Sequence, residues 1–222
     1  HYPLRRQRQM CIRDSASTTL EADEDNLFKS WELIVGKKII LLPGRLTAWK
    51  GQEMFLEALN KVNIQLGNDA FIAVILGNDQ GRDLYKKKLI RLVEQYRLTK
   101  QIRFIDHCKN MPLAYKISDI VISASIEPEA FGRVSVEAQS MQKMIVASNL
   151  GGSNETVIDG KTGILFEAGN SDELSEKIIK VMNMDPNEIS KMGNNGRENA
   201  LKKFNVEKMC FSTYSEYKKL FN

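Results

Sequence analysis

The sequence has 222 residues, of which 42% are hydrophobic and 27% are charged, so it can bury the core of one large domain. No apolar run approaches the roughly 18 to 20 residues that a membrane span requires, and no apolar segment of the signal-peptide type opens the chain. We therefore expect a cytoplasmic, globular protein. Its cysteines lack CxxC spacing, which indicates neither a disulfide framework nor a structural zinc site. They are Cys11, Cys108 and Cys210.

The formal net charge of +4 is concentrated near the start of the chain, in Arg5, Arg6, Arg8 and Arg13. The rest of the chain is nearly neutral, so we predict no nucleic-acid partner. Residues 6–15 read RQRQMCIRDS, which resembles translated sequencing-adaptor sequence. We interpret residues 1–15 as a non-native tail. The alternative interpretation is a genuine basic arm that binds nucleic acid or anionic lipid.

Apolar runs typical of strands alternate with helical patterns from residue 38 onward. The runs lie at residues 39–42, 71–76, 102–105, 120–123, 144–147 and 163–166. Helices are predicted at residues 51–64, 82–96, 111–117, 134–141, 154–157, 172–182, 186–204 and 206–221. Ser171 and Asp185 are predicted N-caps. The repeated βαβ units predict an α/β fold, a Rossmann-like doubly wound parallel sheet of about six strands with C-terminal helices.

The loop after the first predicted strand combines a glycine with two cations. It reads PGRLTAWKG over residues 43–51, with Arg45 and Lys50 five residues apart. Gly44 allows the backbone to approach a ligand closely. Arg can hold two phosphate oxygens at once and Lys adds a point charge, so the pair predicts a diphosphate site. Because neither GxxxxGK[ST] nor GxGxxG is present in this loop, a P-loop or a nicotinamide or flavin site is disfavoured.

Two carboxylates bracket the turn after the fourth predicted strand. A helix is predicted to begin near Gly132 or Arg133, so Glu129 precedes it and Glu137 lies just past its first turn. Unpaired amides at the helix N-terminus favour an anion, and carboxylates accept hydrogen bonds from sugar hydroxyls. Two carboxylates also suit glycoside hydrolysis, but the two cations of the first loop would then have no role.

Taken together, these motifs resemble the C-terminal, nucleotide-sugar-binding domain of family 4 glycosyltransferases, which are retaining enzymes of GT-B fold. The resemblance covers residues 37–205. It rests on three blocks in order: Gly44-Arg45 with Lys50-Gly51, the Glu129 and Glu137 pair around Phe131-Gly132, and GGSNE at residues 151–155 before GKTG at residues 160–163. The sequence departs from the family pattern at Arg133, where Leu is frequent, and at Gln142, where Gly is usual.

The resemblance implies a role for each motif residue. Arg45 and Lys50 would bind the donor diphosphate and stabilise the leaving nucleotide, as a metal does elsewhere, so neither a metal nor another cofactor is expected. Glu137 would accept the ribose hydroxyls and Glu129 would face the transferred sugar. The backbone around the turn would line the sugar and phosphate, through Phe131, Gly132, Arg133 and Val134. His107, at the end of the third strand, is either a contact to the base or ribose or a solvated loop residue.

For the whole protein, the resemblance implies transfer of a sugar, with retention, from a nucleotide diphosphate sugar such as a UDP- or GDP-sugar to an acceptor hydroxyl. The form EPEAFGR at residues 127–133 resembles bacterial enzymes that assemble surface polysaccharide or lipopolysaccharide core. The alternatives are a GT-B sugar-nucleotide epimerase or phosphorylase, and a non-catalytic nucleotide-binding module.

A GT-B enzyme binds its acceptor, here a saccharide or glycolipid, on an N-terminal domain for which this chain has no room. We therefore expect residues 16–36 to be a linker or the end of that missing domain, and residues 37–205 to form the donor-binding domain. Residues 206–222 are predicted to form a helix that packs toward the missing half. The chain alone is expected to be inactive. The resemblance also allows the full-length protein to associate peripherally with the inner face of the membrane.

Overall fold

The computed structural model describes residues 21–220, and six of its strands form one parallel sheet. The strands are β1 (Lys38–Pro43), β2 (Phe71–Leu76), β3 (Ile102–Ile105), β4 (Ile120–Ser123), β5 (Met144–Ser148) and β6 (Ile164–Phe166). Their order across the sheet is β3-β2-β1-β4-β5-β6. The direction of winding reverses between β1 and β4, which are hydrogen-bonded neighbours. The predicted α/β, Rossmann-like, doubly wound sheet is confirmed.

Helices connect the strands and cover both faces of the sheet. They are α1 (Glu21–Ser30), α2 (Gln52–Leu66), α3 (Asp83–Gln95), α4 (Met111–Ile117), α5 (Arg133–Ser140), α6 (Gly152–Thr156), α7 (Ser171–Met182), α8 (Pro186–Lys203) and α9 (Val206–Leu220). A short 3₁₀ turn, Ala48–Lys50, precedes α2. The predicted element boundaries agree with these to within two residues.

One predicted N-cap is wrong. Helix α7 begins at Ser171, and the residue that caps it is Asn170, whose side-chain oxygen accepts a hydrogen bond from the amide of Glu173. Asn170 reaches the third helical amide from outside the helix, as an N-cap must. The Ser171 hydroxyl instead donates to Glu57 on α2 at 2.8 Å. The predicted cap of α8 is confirmed, since Asp185 accepts from the amide that follows its proline.

The strands are mainly apolar because helices bury both faces of the sheet; the charged exceptions are Lys38 at the start of β1 and Arg103 on the edge strand β3. Successive residues of a strand point to opposite faces. On β1, Ile40 and Leu42 pack into the core formed with α2, α3 and α7. Ile39 and Leu41 pack into the core formed with α1, α4 and α5. A parallel sheet that is covered twice in this way requires continuous apolar runs.

The loops that follow β1 and β4 cross in direct backbone contact. Gly51 adopts a left-handed conformation with φ 72°, and a Cβ placed there would lie 1.9 Å from the carbonyl oxygen of Ala124. Next to this crossing, the amide of Ile126 donates to the carbonyl of Trp49 at 2.8 Å. The fold therefore places the loop that carries both cations against the loop that carries Glu129.

Several expectations fall partly outside the part of the chain that the structure describes. The predicted tail at residues 1–15, residues 16–20 of the linker, and the last two residues of the C-terminal segment lie there. Within residues 21–220, no helix is both long and apolar enough to cross a membrane. Helix α9 exposes three aromatic side chains, Phe211, Tyr214 and Tyr217.

The crossing at Gly51 generates a stability prediction with a matched control. Gly36 has a similar backbone conformation, φ 88°, but open space around it. We expect Gly36→Ala to lower the free energy of unfolding by about 1 kcal/mol, which is the cost of a left-handed non-glycine residue. Gly51→Ala is expected to cost about 3 kcal/mol or more, because its methyl group also collides with backbone. Urea unfolding measures both; equal losses would contradict the close-contact explanation.

Candidate functional site

Three loops converge at the carboxyl ends of the central strands. We call them the β1 loop (residues 44–51), the β4 loop (residues 124–132) and the β5 loop (residues 149–151). The amide of Gly152 donates to the carbonyl of Glu129 at 2.7 Å. A Cβ on Gly152 would lie 2.4 Å from the carbonyl carbon of Phe131, so only glycine lets α6 begin against the β4 loop. Ligands of doubly wound sheets bind at this reversal of strand order.

The central contact of the site is an ion pair between the β1 and β4 loops. Lys50 Nζ lies 2.6 Å from Glu129 Oε1, and the two side chains are only 13% and 15% exposed. The Ser125 hydroxyl donates to the same oxygen. The ammonium group also lies 4.5 Å from the centroid of the Trp49 ring, a cation–π distance. Lys50 is thus held beside Glu129, and its charge compensates that of the carboxylate.

Arg45 differs from Lys50 in being exposed. Its guanidinium forms no ion pair with any residue between 21 and 220, whereas its backbone is well fixed. The carbonyl of Arg45 accepts a hydrogen bond from the fully buried amide of Gln52 at 2.9 Å. Gln52 in turn accepts from the hydroxyl of Tyr85 at 3.2 Å. Arg45 therefore presents an uncompensated positive charge on a rigid loop, which suits an incoming anion.

Helix α5 begins directly after the β4 loop. Gly132 is its N-cap with φ 67° and has no side chain with which to cap the helix. The amides of Arg133 and Val134, the first two of the helix, have no acceptor in the described part of the chain. Beside them, the half-exposed ring of Phe131 packs edge-on against Phe204, with centroids 5.7 Å apart. Free amides and the helix dipole together favour a phosphate at this point.

Glu137 lies one turn into α5, and its carboxylate has a neutral partner. Its Oε2 accepts a hydrogen bond from the hydroxyl of Tyr115 at 2.7 Å. Tyr115 is 2% exposed. Burial, followed by the charge of Glu137, raises the pKa of Tyr115 well above its ordinary value. The phenol therefore stays protonated and acts as the donor in this bond.

The structure brings most of the predicted site residues together, but it leaves His107 apart. Lys50 on the β1 loop contacts Glu129 on the β4 loop, and the β4 loop leads directly into α5, which carries Glu137. His107 is exposed and follows β3, the edge strand, which is separated from β1 by β2. No described contact joins His107 to the β1 or β4 loop. Its role in binding a base or ribose stays a prediction.

Sequence reasoning missed two residues that hold the carboxylates. Ser125 follows β4 as one small polar residue among several, and nothing in its spacing marks it as a partner of Glu129. Tyr115 belongs to the apolar face of a short helix, where an aromatic residue indicates core packing. The hydroxyl at the end of that buried ring contacts Glu137 only because α4 and α5 are neighbours in the folded chain.

Comparisons with known proteins agree with this geometry. A family model described as glycosyl transferases group 1 matches residues 23–199. The chain is similar to a solved glycosyltransferase from Rickettsia africae, with 30% identity and a TM-score of 0.87, over 95% of this chain and 55% of that one. It is also similar to Anabaena HepE solved in complex with UDP-glucose, with 26% identity and a TM-score of 0.81, over 90% of this chain and 54% of that one.

A curated relative is the capsular polysaccharide biosynthesis glycosyltransferase CapM of Staphylococcus aureus. It is 23% identical over 84% of this chain and 48% of its own length. The chain spans between 26% and 49% of the first three curated relatives that it matches. These proteins are therefore much longer than the region that they share with this chain.

The Lys50–Glu129 pair generates a prediction about anion binding. Because Glu129 holds Lys50, we expect Glu129→Gln to free the ammonium group and to raise the affinity for inorganic pyrophosphate about fivefold, which corresponds to roughly 1 kcal/mol. Lys50→Ala is expected to lower that affinity. Isothermal titration calorimetry measures both effects.

The matched control for this experiment is Glu127→Gln. Glu127 is an exposed carboxylate of the same β4 loop and has no ion pair among the described residues. Its neutralisation changes the general field at the site without touching Lys50. Equal gains from Glu127→Gln and Glu129→Gln would show that release of Lys50 is not the cause.

Proposed function

Because this chain belongs to the group 1 family of glycosyl transferases, we propose that the full-length protein transfers a sugar from a nucleotide diphosphate sugar to an acceptor hydroxyl, with retention of anomeric configuration. One observation carries the proposal. The loop that carries Arg45 and Lys50 touches the loop that carries Glu129 at the strand-order reversal, and α5 with Glu137 begins at the end of the second loop. This set suits a diphosphate with hydroxyl-rich groups on either side.

In the proposed binding mode, the diphosphate lies between the amides of Arg133 and Val134 and the guanidinium of Arg45. Lys50 moves from Glu129 to a phosphate oxygen when the donor enters. Both cations then compensate the negative charge that develops on the leaving nucleotide diphosphate as the bond to the sugar breaks. The charges are supplied by side chains, so the proposal includes no metal or other cofactor.

The movement of Lys50 gives Glu129 a second role. Once the ammonium group contacts phosphate, Glu129 loses its charge partner at Oε1, and its Oε2, which accepts no hydrogen bond within the described chain, accepts one from a hydroxyl of the transferred sugar. Ser125 keeps the carboxylate oriented through its own hydrogen bond. Donor binding and sugar recognition are thereby coupled through one ion pair. Glu137, on the other side of the α5 N-terminus, is assigned to the ribose hydroxyls.

The donor is proposed to be a hexose attached to UDP or GDP. Support for UDP comes from Anabaena HepE, whose structure in complex with UDP-glucose has the same fold as this chain. The acceptor is proposed to be a saccharide or glycolipid of surface polysaccharide or lipopolysaccharide core. The capsular role named for CapM supports that class.

The acceptor is proposed to bind an N-terminal domain of the full-length protein, outside the region described here. The three exposed aromatic side chains of α9 suit packing against such a domain. We further propose that the full-length enzyme works in the cytoplasm, associated peripherally with the inner face of the membrane, where a glycolipid acceptor would be accessible.

Binding of a nucleoside diphosphate by this chain tests the proposal directly. We expect calorimetric titration with a panel of nucleoside diphosphates to show binding that prefers one base. Arg45→Ala and Lys50→Ala should each weaken it by about 1 to 3 kcal/mol, because each removes a charge-assisted contact to phosphate. Arg97→Ala is the control. Arg97 is exposed and precedes the amino end of β3, whereas the site lies at the carboxyl ends of the central strands. No binding by the folded chain would overturn the proposal.

Product analysis of the full-length protein tests the reaction itself. With a nucleotide sugar and a saccharide acceptor, we expect a glycoside whose anomeric configuration matches that of the donor, as read by proton NMR. The same reaction with and without inorganic phosphate separates transfer from phosphorolysis. An epimerised donor without glycoside would support the epimerase alternative, and binding without turnover would support a non-catalytic module.

A further inference from the structure

The two carboxylates of the site are held in opposite ways. Glu129 is compensated by the charge of Lys50. Glu137 forms no ion pair with any lysine or arginine in residues 21–220, and the only described hydrogen-bond donor to its carboxylate is the hydroxyl of Tyr115 at 2.7 Å. A neutral donor orients a carboxylate without cancelling its charge. The charge of Arg133 acts electrostatically on the Tyr115 phenol but forms no ion pair with Glu137, and the Oε1 of Glu137 accepts no hydrogen bond within the described chain.

The partner of Glu137 is a buried side chain on a capped helix. Tyr115 is buried in the core that α1, α4 and α5 form with the sheet. Helix α4, which carries it, is capped by the Asn110 side chain through the amide of Leu113. The Ser118 hydroxyl donates to the carbonyl of Tyr115 at 2.7 Å and fixes the end of the same helix. A ring that is locked by packing holds its hydroxyl at one position, which a flexible surface side chain does not.

The hydroxyl of Tyr115 also keeps its proton, which it needs in order to donate a hydrogen bond to Glu137. Burial and the negative charge of Glu137 hold the pKa of the phenol well above its ordinary value. The hydroxyl is therefore protonated at neutral pH and donates to Glu137. A hydrogen bond from a neutral donor to a carboxylate is charge-assisted and short, as observed here. One oxygen of Glu137 is therefore committed to Tyr115 and the other is aimed by it.

We propose that Tyr115 is a positioning residue that fixes the Glu137 carboxylate to receive a vicinal diol, and that it sets the preference of the site for ribose over deoxyribose. The inference rests on the proposed function, in which Glu137 binds the ribose. A diol presents two hydroxyl donors, and a charged carboxylate of fixed orientation has the free lone pairs to accept both. Without the phenol, the glutamate side chain samples several rotamers, and the cost of ordering it falls on ligand binding.

The test is Tyr115→Phe in the 222-residue chain, with ligands that separate ribose from phosphate. The probes are UDP and GDP, the 2′,3′-dideoxy form of each, and inorganic pyrophosphate. For the nucleotide that binds, we expect Tyr115→Phe to lower the affinity for the ribose form about tenfold, the value of one hydrogen bond to a charged group. Affinities for the dideoxy form and for pyrophosphate should not change.

Two comparisons isolate the Tyr115–Glu137 bond. Glu137→Gln should also lose the ribose preference, and the double variant should lose no more than the single variants, because both act on the same bond. Tyr96→Phe is the matched control. Tyr96 is a partly buried tyrosine at the end of α3 that packs against the other core, and its hydroxyl makes no hydrogen bond to the described residues. It should leave all affinities unchanged.

The outcomes distinguish this inference from the proposed function. If Tyr115→Phe weakens all ligands equally, its role is structural and the inference is wrong. If Glu137→Gln abolishes the ribose preference but Tyr115→Phe preserves it, the inference is wrong and the proposed function stands. If the folded wild-type chain binds no nucleoside diphosphate, both are wrong. Should Tyr115→Phe not fold, Glu137→Asp keeps the charge but draws the carboxylate away from Tyr115; an unchanged ribose preference in that variant also overturns the inference.

Discussion

The close approach of Gly51 to the carbonyl of Ala124 is the constraint on which the candidate site depends. These atoms mark the point where the loops after β1 and β4 cross, and no residue with a side chain fits there. Because the loops touch, Lys50 reaches Glu129 although 79 positions separate them in sequence. A second glycine contact, between Gly152 and Phe131, holds the start of α6 against the same loop. The site is thus a product of backbone contacts that only glycine permits.

The four charged residues of the candidate site differ in whether they have an ion-pair partner. Lys50 and Glu129 form a largely buried ion pair, whereas neither Arg45 nor Glu137 forms an ion pair with a residue between 21 and 220. In the proposed binding mode, Arg45 binds a phosphate and Glu137 accepts from hydroxyl groups. In the same binding mode, an incoming anion separates Lys50 from Glu129. A ligand with a diphosphate between two polyhydroxyl groups matches this set of side chains, because the cations bind phosphate and the carboxylates accept from hydroxyls.

The donors that hold these carboxylates come from elements outside the obvious motifs. Ser125 orients Glu129 from the end of β4, and Tyr115 orients Glu137 from the buried face of α4. Both are neutral hydroxyl donors, so they fix geometry without consuming charge. The core and the site share residues here: the packing that stabilises α4 also determines where a carboxylate in the crevice points.

The sequence by itself determined the sheet and the identity of the charged residues. Strands that are buried on both faces are mainly apolar, so β2 and β4 could be read to the residue, and the glutamates stood out against a glycine turn and a helix start. Which groups contact each other was decided only by the tertiary structure. The pairing of Lys50 with Glu129 and of Tyr115 with Glu137 joins residues from different loops and helices. The spacing of residues within one motif contains no information about such contacts. They exist because the reversal of strand order places loops from distant parts of the sequence at the same edge of the sheet.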